Sequence, residues 1–180
     1  MKRLTTKEYI AATFEELLME KNFESICVQD IARACNISRT TFYRHFEDKY
    51  CLMNWIYQQN KYDFIAQNPP TTSWKELSIT IYSFIYSKKD FFRKALDYQG
   101  QNSLYDFIYL SSLDFFTTRI KDALKVDTLP PDIDYSVRLY CGGAIHTLKE
   151  WLMNGARETP ETMTRYACEN LPPLMQKYLN

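Results

Sequence analysis

The stretch that decides the fold is VQDIARACNISRTTFYRHFEDK, residues 28–49. It predicts two short helices, over residues 28–35 and 39–46. Asn36, between them, is one of the few residue types other than glycine that tolerate a left-handed turn conformation. Ser38 is a good N-cap for the second helix. Two short helices joined by such a turn indicate a helix-turn-helix unit.

The second of these helices is predicted to present cations and hydroxyls outward, while Phe42 and Phe46 pack inside. Such a helix fits the major groove of B-DNA, where arginine can bond guanine and hydroxyls can bond bases or phosphates. Lys2 and Arg3 form a basic tail that could reach the DNA backbone or the minor groove. The candidate DNA-contacting residues are Lys2, Arg3, Arg39, Thr40, Thr41, Tyr43, Arg44, His45 and Lys49.

Simpler roles exist for several residues of this unit. Tyr43 could be a packed surface ring, and His45 could have a local packing role. We interpret Arg33 as a solvated charge rather than a DNA contact.

Outside this stretch, sequence patterns typical of helix starts recur along the whole chain. Thr5 with Glu8 makes a capping box, and Ser73 and Ser103 begin the same pattern. Asp90 is a predicted N-cap, and Thr159-Pro160 is an N-cap followed by proline at the first helical position. Pro172-Pro173 would kink or break the last helix. No period-2 strand pattern is present, so we predict an all-α fold of about nine helices, over residues 6–21, 28–35, 39–46, 48–67, 74–87, 90–100, 103–125, 134–154 and 160–178.

Composition limits the class of protein. The 180 residues carry 22 Lys+Arg and 22 Asp+Glu, so the formal net charge is zero, which excludes a diffuse, histone-like DNA binder. Charged residues interrupt the N-terminus where a secretory signal would need an apolar core, and no apolar run reaches ~18 residues. We therefore expect a cytoplasmic protein without a membrane segment.

No cofactor, metal site or enzyme activity is predicted. The five cysteines form no C-x-x-C pair, and the only histidines, His45 and His146, lie far apart in the sequence. Residues 74–180 show no set of nucleophile, base and orienting group and no glycine-rich phosphate loop.

The first quarter of the chain resembles the TetR family of bacterial transcriptional regulators. The resemblance implies DNA-contacting positions at Thr41, Tyr43, His45 and Lys49, with Arg39, Thr40 and Arg44 as variable readers. Cys27 departs from the usual Thr or Ser N-cap, which would cost about 1 kcal/mol. Asn36 replaces a common glycine. The residues that carry the resemblance are Asp30-Ile31-Ala32, Ile37-Ser38, Thr41-Phe42-Tyr43, His45-Phe46, Lys49 and Leu52.

The C-terminal segment 140–155, followed by Thr159-Pro160-Glu161, is similar to a subgroup of that family that includes dihydroxyacetone kinase regulators. Small residues at 141–144 would let another helix approach closely, and in the family the last two helices pair with their symmetry mates as a four-helix bundle. An intramolecular helix contact is the alternative. The predicted dimer residues are Gly142, Gly143, Ala144, Leu148, Trp151, Leu152, Tyr166, Leu171 and Leu174.

A set of aromatic residues on the central helices could line an apolar effector pocket with polar tips. Ordinary core packing explains the same pattern and is the interpretation that it favours. The candidate pocket residues are Tyr82, Phe84, Tyr86, Tyr105, Tyr109, Phe115 and Tyr140.

Together these features predict a helix-turn-helix domain over residues 1–50, a linking helix at 48–67 and a helical effector-binding and dimerisation domain over residues 74–180. The resemblance implies a homodimeric repressor that binds a two-fold double-stranded DNA operator and is released by a small molecule. The alternative is a coactivator that works through a protein partner without its own small-molecule effector. An enzyme built on a helical bundle is a remote third possibility.

Overall fold

The computed structural model describes residues 4–67 and 73–179. The described chain is helical throughout, with no strand, and one 3-10 turn at Phe23–Ser25. The predicted all-α class is confirmed. The helices are α1 (Thr6–Glu20), α2 (Val28–Ala34), α3 (Arg39–Tyr43), α4 (Lys49–Gln67), α5 (Trp74–Ser87), α6 (Lys89–Ala95), α7 (Leu104–Leu124), α8 (Pro131–Met153), α9 (Pro160–Glu169) and α10 (Pro173–Gln176).

Five helices begin where their caps predict. At each start, a Ser or Thr oxygen accepts the backbone N–H three residues later, which satisfies one of the orphan donors of the first turn. At α1 the reverse bond is also present, because the Glu8 carboxylate accepts the Thr5 N–H at 2.7 Å. The capping residues are Thr5, Ser38, Ser73, Ser103 and Thr159.

Several predicted boundaries are wrong. Asp90 does not cap α6: the helix begins at Lys89, and Asp90 lies in its first turn. Helix α8 begins three residues before Asp134, at Pro131, because proline at the first helical position lacks an N–H that would need a partner. Helix α3 ends at Tyr43, and Asp48 already caps the next helix by accepting the Cys51 N–H at 2.7 Å. The predicted break at Pro172-Pro173 is complete, so α9 and α10 are separate helices.

Two clusters of buried apolar residues make the core. The larger one runs from Phe14 on α1 to Leu152 on α8 and includes both helices of the helix-turn-helix unit. The smaller one joins α7, α8 and α10 around Phe116, Val137 and Met175. Helix α5 packs along α9, and α7 packs along α8. The helix-turn-helix unit and the helical body therefore share one continuous core.

Helix α6 packs against α1 and fixes the N-terminal unit to the body. Side-chain bonds beside this contact join α1, α4 and the residues that flank α6. We call this set of bonds the junction and define it by Glu15, Tyr50, Asn60, Lys88 and Tyr98. The Glu15 carboxylate accepts from Asn60 Nδ2 at 2.9 Å and from Lys88 Nζ at 3.3 Å. The Tyr98 hydroxyl donates to the Tyr50 hydroxyl at 3.2 Å. Every polar group in this set has a partner.

Within the two described ranges, no helix combines the length and the apolar character needed to span a membrane.

Candidate nucleic-acid interface and ligand cavity

The turn between α2 and α3 has the geometry that the sequence predicts. Asn36 is left-handed, with φ 52°. Its N–H donates to the Arg33 carbonyl at 3.1 Å, and the Ile37 N–H donates to the Ala32 carbonyl at 2.9 Å. This pair of bonds is a Schellman arrangement, which ends α2 and satisfies its last carbonyls. The turn therefore sets the angle at which α3 leaves α2.

Helix α2 begins without a hydroxyl cap, yet its start is not left open. Both the N–H and the thiol of Cys27 donate to the Asp30 carboxylate, each at 3.0 Å. These two bonds, the one from the thiol foremost, lower the pKa of Asp30. The carboxylate therefore supports the helix start from inside the first turn.

Helix α3 has one anchored side and one exposed side. Phe42 and Phe46 are buried, and Thr41 is half-buried with its hydroxyl 2.9 Å from that of Ser38. The Arg39 guanidinium donates to the Tyr43 hydroxyl at 3.5 Å, and this bond is the main reason why the pKa of Arg39 is raised. The exposed side chains on the helix and its end are Arg39, Thr40, Tyr43 and Arg44.

The other predicted contacts are placed differently. All three N–H donors of the Lys49 ammonium are engaged inside the protein, with the carbonyls of Phe23 and Ile26 at 2.8 Å and that of Glu24 at 3.2 Å. Lys49 thus ties the start of α4 to the 3-10 turn and has no free donor for a phosphate. His45, two residues after the end of α3, is half-buried. Lys2 and Arg3 lie outside the described residues.

Lys7 supports the interface in a way that sequence analysis missed. Its ammonium lies 4.8 Å from the centroid of the Trp55 ring and 5.1 Å from that of the Phe46 ring. Such cation–π contacts hold Phe46, which follows α3, between α1 and α4. The only signal in the sequence is a lysine in the first turn of α1, which is not specific.

The predicted dimer residues do not form one surface. Leu148, Trp151, Leu152 and Leu171 are buried in the core of the protomer, because α8 turns this side toward its own chain. For these four the prediction of a dimer contact is wrong, and the intramolecular alternative applies. Ala144 is half-buried and lines a cavity inside the protomer. The members of the set that face outward wholly or in part are Gly142, Gly143, Tyr166 and Leu174.

A cavity of about 290 Å³ lies among α4, α5, α7 and α8. Of the predicted pocket residues, Tyr82, Phe115 and Tyr140 line it. The others lie elsewhere: Phe84 is buried in the core, Tyr86 stacks on Trp151, Tyr105 lines a separate polar groove, and Tyr109 packs between the two apolar clusters. The wall residues that sequence analysis missed include Lys61, Trp74 and Ser78.

The cavity wall has a low local polarity, which is visible in its titratable groups. Burial raises the pKa of Tyr82 to about 12 and that of Cys141 to about 12. Burial also raises the pKa of Tyr140, whose hydroxyl donates to the Ala167 carbonyl at 2.9 Å. The same desolvation lowers the pKa of Lys61. The wall thus disfavours any charge that has no partner.

No cluster of three or more His, Cys, Asp or Glu side chains that could hold a metal ion occurs in the part of the chain that the structure describes.

Two family models match the chain. The model described as bacterial regulatory proteins, tetR family, matches residues 10–54, and the model described as transcriptional regulator C-terminal region matches residues 72–171. The first match includes the helix-turn-helix unit, and the second includes most of the helical body. Together they follow the order of the two parts that the structure shows.

Individual proteins show the same likeness. The HTH-type dhaKLM operon transcriptional activator DhaS of Lactococcus lactis subsp. lactis (strain IL1403) is 26% identical over 93 residues, 52% of this chain and 50% of DhaS. The match thus spans about half the length of that curated relative.

Two solved structures share the fold. One, titled dihydroxyacetone kinase operon activator DhaS, has a TM-score of 0.64 at 18% identity and covers 99% of this chain and 100% of its own. The other, a TetR transcriptional regulator from Streptococcus agalactiae 2603V, has a TM-score of 0.68 at 24% identity and covers 92% and 93%.

Proposed function

This chain belongs to the TetR family of bacterial transcriptional regulators, and we propose that it is a homodimeric repressor whose α3 reads a two-fold DNA operator. In this proposal, a small molecule bound in the cavity weakens operator affinity. Residues 1–50 serve as the DNA-binding domain, α4 as the link, and residues 74–180 as the effector-binding and dimerisation domain.

The exposed face of α3 carries this proposal. Two guanidinium groups, Arg39 and Arg44, and the Tyr43 hydroxyl project from a helix whose other side is fixed by Phe42 and Phe46. Arginine can bond the O6 and N7 atoms of guanine in the major groove, and hydroxyls can bond phosphates. The fixed inner side holds these groups in one orientation, which sequence-specific reading requires.

A two-fold operator follows from the small size of the reader. One helix of five residues reaches only a few base pairs, so two copies are needed for a specific site. On α8, Tyr135 and Leu139 are 67% and 63% exposed, one turn apart. A side chain built at Gly142 or Gly143 would meet nothing of the same chain within 4 Å. These four residues make a helix face open to a partner copy.

The dimer face is tested by Leu139→Glu, which should convert a dimer into monomers in sedimentation-velocity measurements, because a buried unpaired carboxylate is costly. Val126→Glu, at an exposed apolar residue off this face, is the matched control and should remain dimeric. Dimers that persist in Leu139→Glu contradict the assignment of this face.

Helix α4 connects the reader to the cavity. It begins at Lys49, beside the reading unit, and Lys61 lies twelve residues further, about 18 Å along the axis. A ligand that binds one arrangement of α4 better than another shifts the population of reader spacings, and operator affinity changes by the same free energy.

The operator itself is found by selecting bound sequences from random DNA. Arg44→Ala should then weaken binding to the selected operator about 10- to 100-fold, the loss expected for one specific base contact of about 1–3 kcal/mol. Arg33→Ala on α2, also an exposed arginine, is the matched control and should bind within about twofold of the wild type. Equal binding by Arg44→Ala and the wild type would contradict the reading role of α3.

The opposite regulatory sign has a specific observation in its favour, because the relative that matches over 93 residues is named a transcriptional activator. A promoter carrying the selected operator, fused to a reporter, separates the two. Loss of the chain raises expression if it represses and lowers expression if it activates. A partner-dependent activator would in addition bind no operator without its partner.

A further inference from the structure

We propose that the cavity binds a mainly apolar monocarboxylate, about the size of two fused aromatic rings, with the carboxylate paired to Lys61. The inference deepens the proposed function, because it names the chemical class of the effector that the repressor model leaves open.

Lys61 is a cation without a counter-ion. Its side chain is half-buried on α4, with Nζ 5.0 Å from the centroid of the Tyr57 ring. No carboxylate of the described residues lies within ion-pair distance of it. Lys49, on the same helix, binds carbonyl groups and Lys88 binds a carboxylate, whereas Lys7 and Lys89 are half-buried with cation–π contacts, as Lys61 is. Lys61 differs from Lys7 and Lys89 because it lines the apolar cavity, where an anionic ligand would supply the missing partner.

The charge of the wall fixes the charge of the ligand. Lys61 is the only charged side chain among the described lining residues. A cation would be repelled, a neutral molecule would leave the ammonium unpaired, and a dianion would bring a second charge with no partner into an apolar wall. One negative charge is therefore the best match.

The rest of the wall fixes the body of the ligand. It is made largely of aliphatic and aromatic side chains, such as Ile81, Ile108, Phe115 and Phe116. An apolar cavity of about 150 Å³ in another protein holds benzene, so a cavity of about 290 Å³ has room for about two such rings. Trp74 and Tyr140, which pack edge to face with centroids 6.3 Å apart, add aromatic surface to the same wall.

Two further polar groups lie in the same wall. The Trp74 indole N–H and the Ser78 hydroxyl are buried and make no hydrogen bond of good geometry with the described residues, although the Tyr140 hydroxyl and the Cys168 thiol lie beside them. Such groups are costly unless something satisfies them. Oxygen atoms of a bound carboxylate, or a water that enters with it, would do so. The wall thus offers the ligand's polar head two donors in addition to the Lys61 ammonium.

Isothermal titration of the DNA-free protein tests the inference with two matched ligand pairs: 1-naphthoate with 1-naphthamide, and octanoate with octanamide. Each pair keeps its shape and loses its charge. We expect at least one acid to bind tenfold or more tighter than its amide. Equal binding within both pairs, or no binding of either acid, overturns the proposal.

Lys61→Met assigns the effect to the ammonium, since methionine keeps an unbranched side chain of similar length. It should weaken binding of the acid about tenfold or more and leave the amide within about twofold. Lys75→Met, at an exposed lysine on α5, is the control and should bind both as the wild type does. An unchanged acid affinity in a Lys61→Met protein whose melting curve matches that of the wild type overturns the role of Lys61.

The two proposals fail separately. Operator binding in the absence of ligand tests the repressor, and calorimetry without DNA tests the cavity. A protein that binds its operator but neither acid keeps the proposed function and overturns this inference. A protein that binds an acid through Lys61 but no DNA does the reverse.

Discussion

The junction and the cavity both include residues of α4, yet they treat polar groups in opposite ways. At the junction, Glu15 accepts from both Asn60 and Lys88. In the cavity wall, the Lys61 ammonium has no counter-ion and the Ser78 hydroxyl makes no hydrogen bond of good geometry among the described residues. A region with its bonds already made resists change, whereas one with bonds still to be made can respond to a ligand. In the proposed mechanism, a ligand would alter the cavity, and the junction would pass the change on as a rigid contact.

The largest expected effect is on the free energy of unfolding, for a change in the packed core beside the junction. Phe92 on α6 is fully buried, with ring centroids 5.3 Å from Phe84 and 6.0 Å from Tyr57. Phe92→Ala should lower the free energy of unfolding by about 3–5 kcal/mol, because it removes packing and leaves a void. Urea denaturation measures the loss. Tyr62→Ala, at a ring that is 75% exposed, should change stability by less than about 0.5 kcal/mol. A loss below 1 kcal/mol for Phe92→Ala would show that the junction side is as loosely packed as the cavity.

Two lysines on α4 sharpen the comparison within one helix. Lys49→Met removes three bonds to carbonyl groups and should lower the free energy of unfolding by about 1.5–3 kcal/mol. Lys61→Met removes an unpaired cation and should leave stability unchanged or higher, because the cost of desolvating the ammonium disappears. Both variants are compared in the same urea titration. Similar losses for the two would erase the distinction between a satisfied and an unsatisfied ammonium.

The cavity can be filled by a larger side chain at a residue of its own wall. Ala144 lines the cavity from α8. Ala144→Leu should place apolar atoms in existing space and keep the free energy of unfolding within about 1 kcal/mol of the wild type. It should abolish binding of 1-naphthoate and 1-naphthamide alike. Ala123→Leu, at an exposed alanine on α7, serves as the control and should leave ligand binding intact. Ligand binding that survives in Ala144→Leu would place the site elsewhere.

The smallest effect on stability is expected at the junction ion pair. The Lys88 and Glu15 side chains are 35% and 32% exposed, so Lys88→Met should cost at most about 1 kcal/mol. The change should nevertheless reduce the ratio of operator affinities measured without and with 1-naphthoate, because the junction is the proposed route between the two sites. The same change at Lys89, whose ammonium lies over the Tyr86 ring, should leave that ratio as it is. An unaltered ratio in Lys88→Met would remove this pair from the route.

Local features were predictable from sequence because their physics is local. Thr5, Ser38 and Thr159 each cap a helix with a bond to a backbone N–H three residues away, and Asn36 adopts its left-handed turn whatever packs around it. The prediction that Asp90 caps α6 was wrong, because an acidic side chain is also favourable within the first turn of a helix, where Asp90 lies.

Features that depend on which helix faces meet were not predictable in this way. Helix α8 carries apolar residues on several sides, so the pattern alone does not say that Trp151 turns inward while Leu139 turns to solvent. Lys61 is one lysine on a helix of mixed character, and only the surrounding helices make its ammonium unusual. The resemblance to the family predicted which helix contacts DNA, whereas the cavity could be recognised only once the helices were packed together.

Glu15 joins three segments that are far apart in the chain, and this has a consequence for how such regulators diverge. A reader cut off after residue 50 would lose the Asn60 and Lys88 partners of Glu15 and the Tyr98 ring that packs on Phe23. The helix-turn-helix unit therefore cannot be combined with a different helical domain without losing these contacts. On the proposed role of α3, a new operator preference arises by substitutions on its exposed face, while the buried contacts are retained together with the rest of the chain.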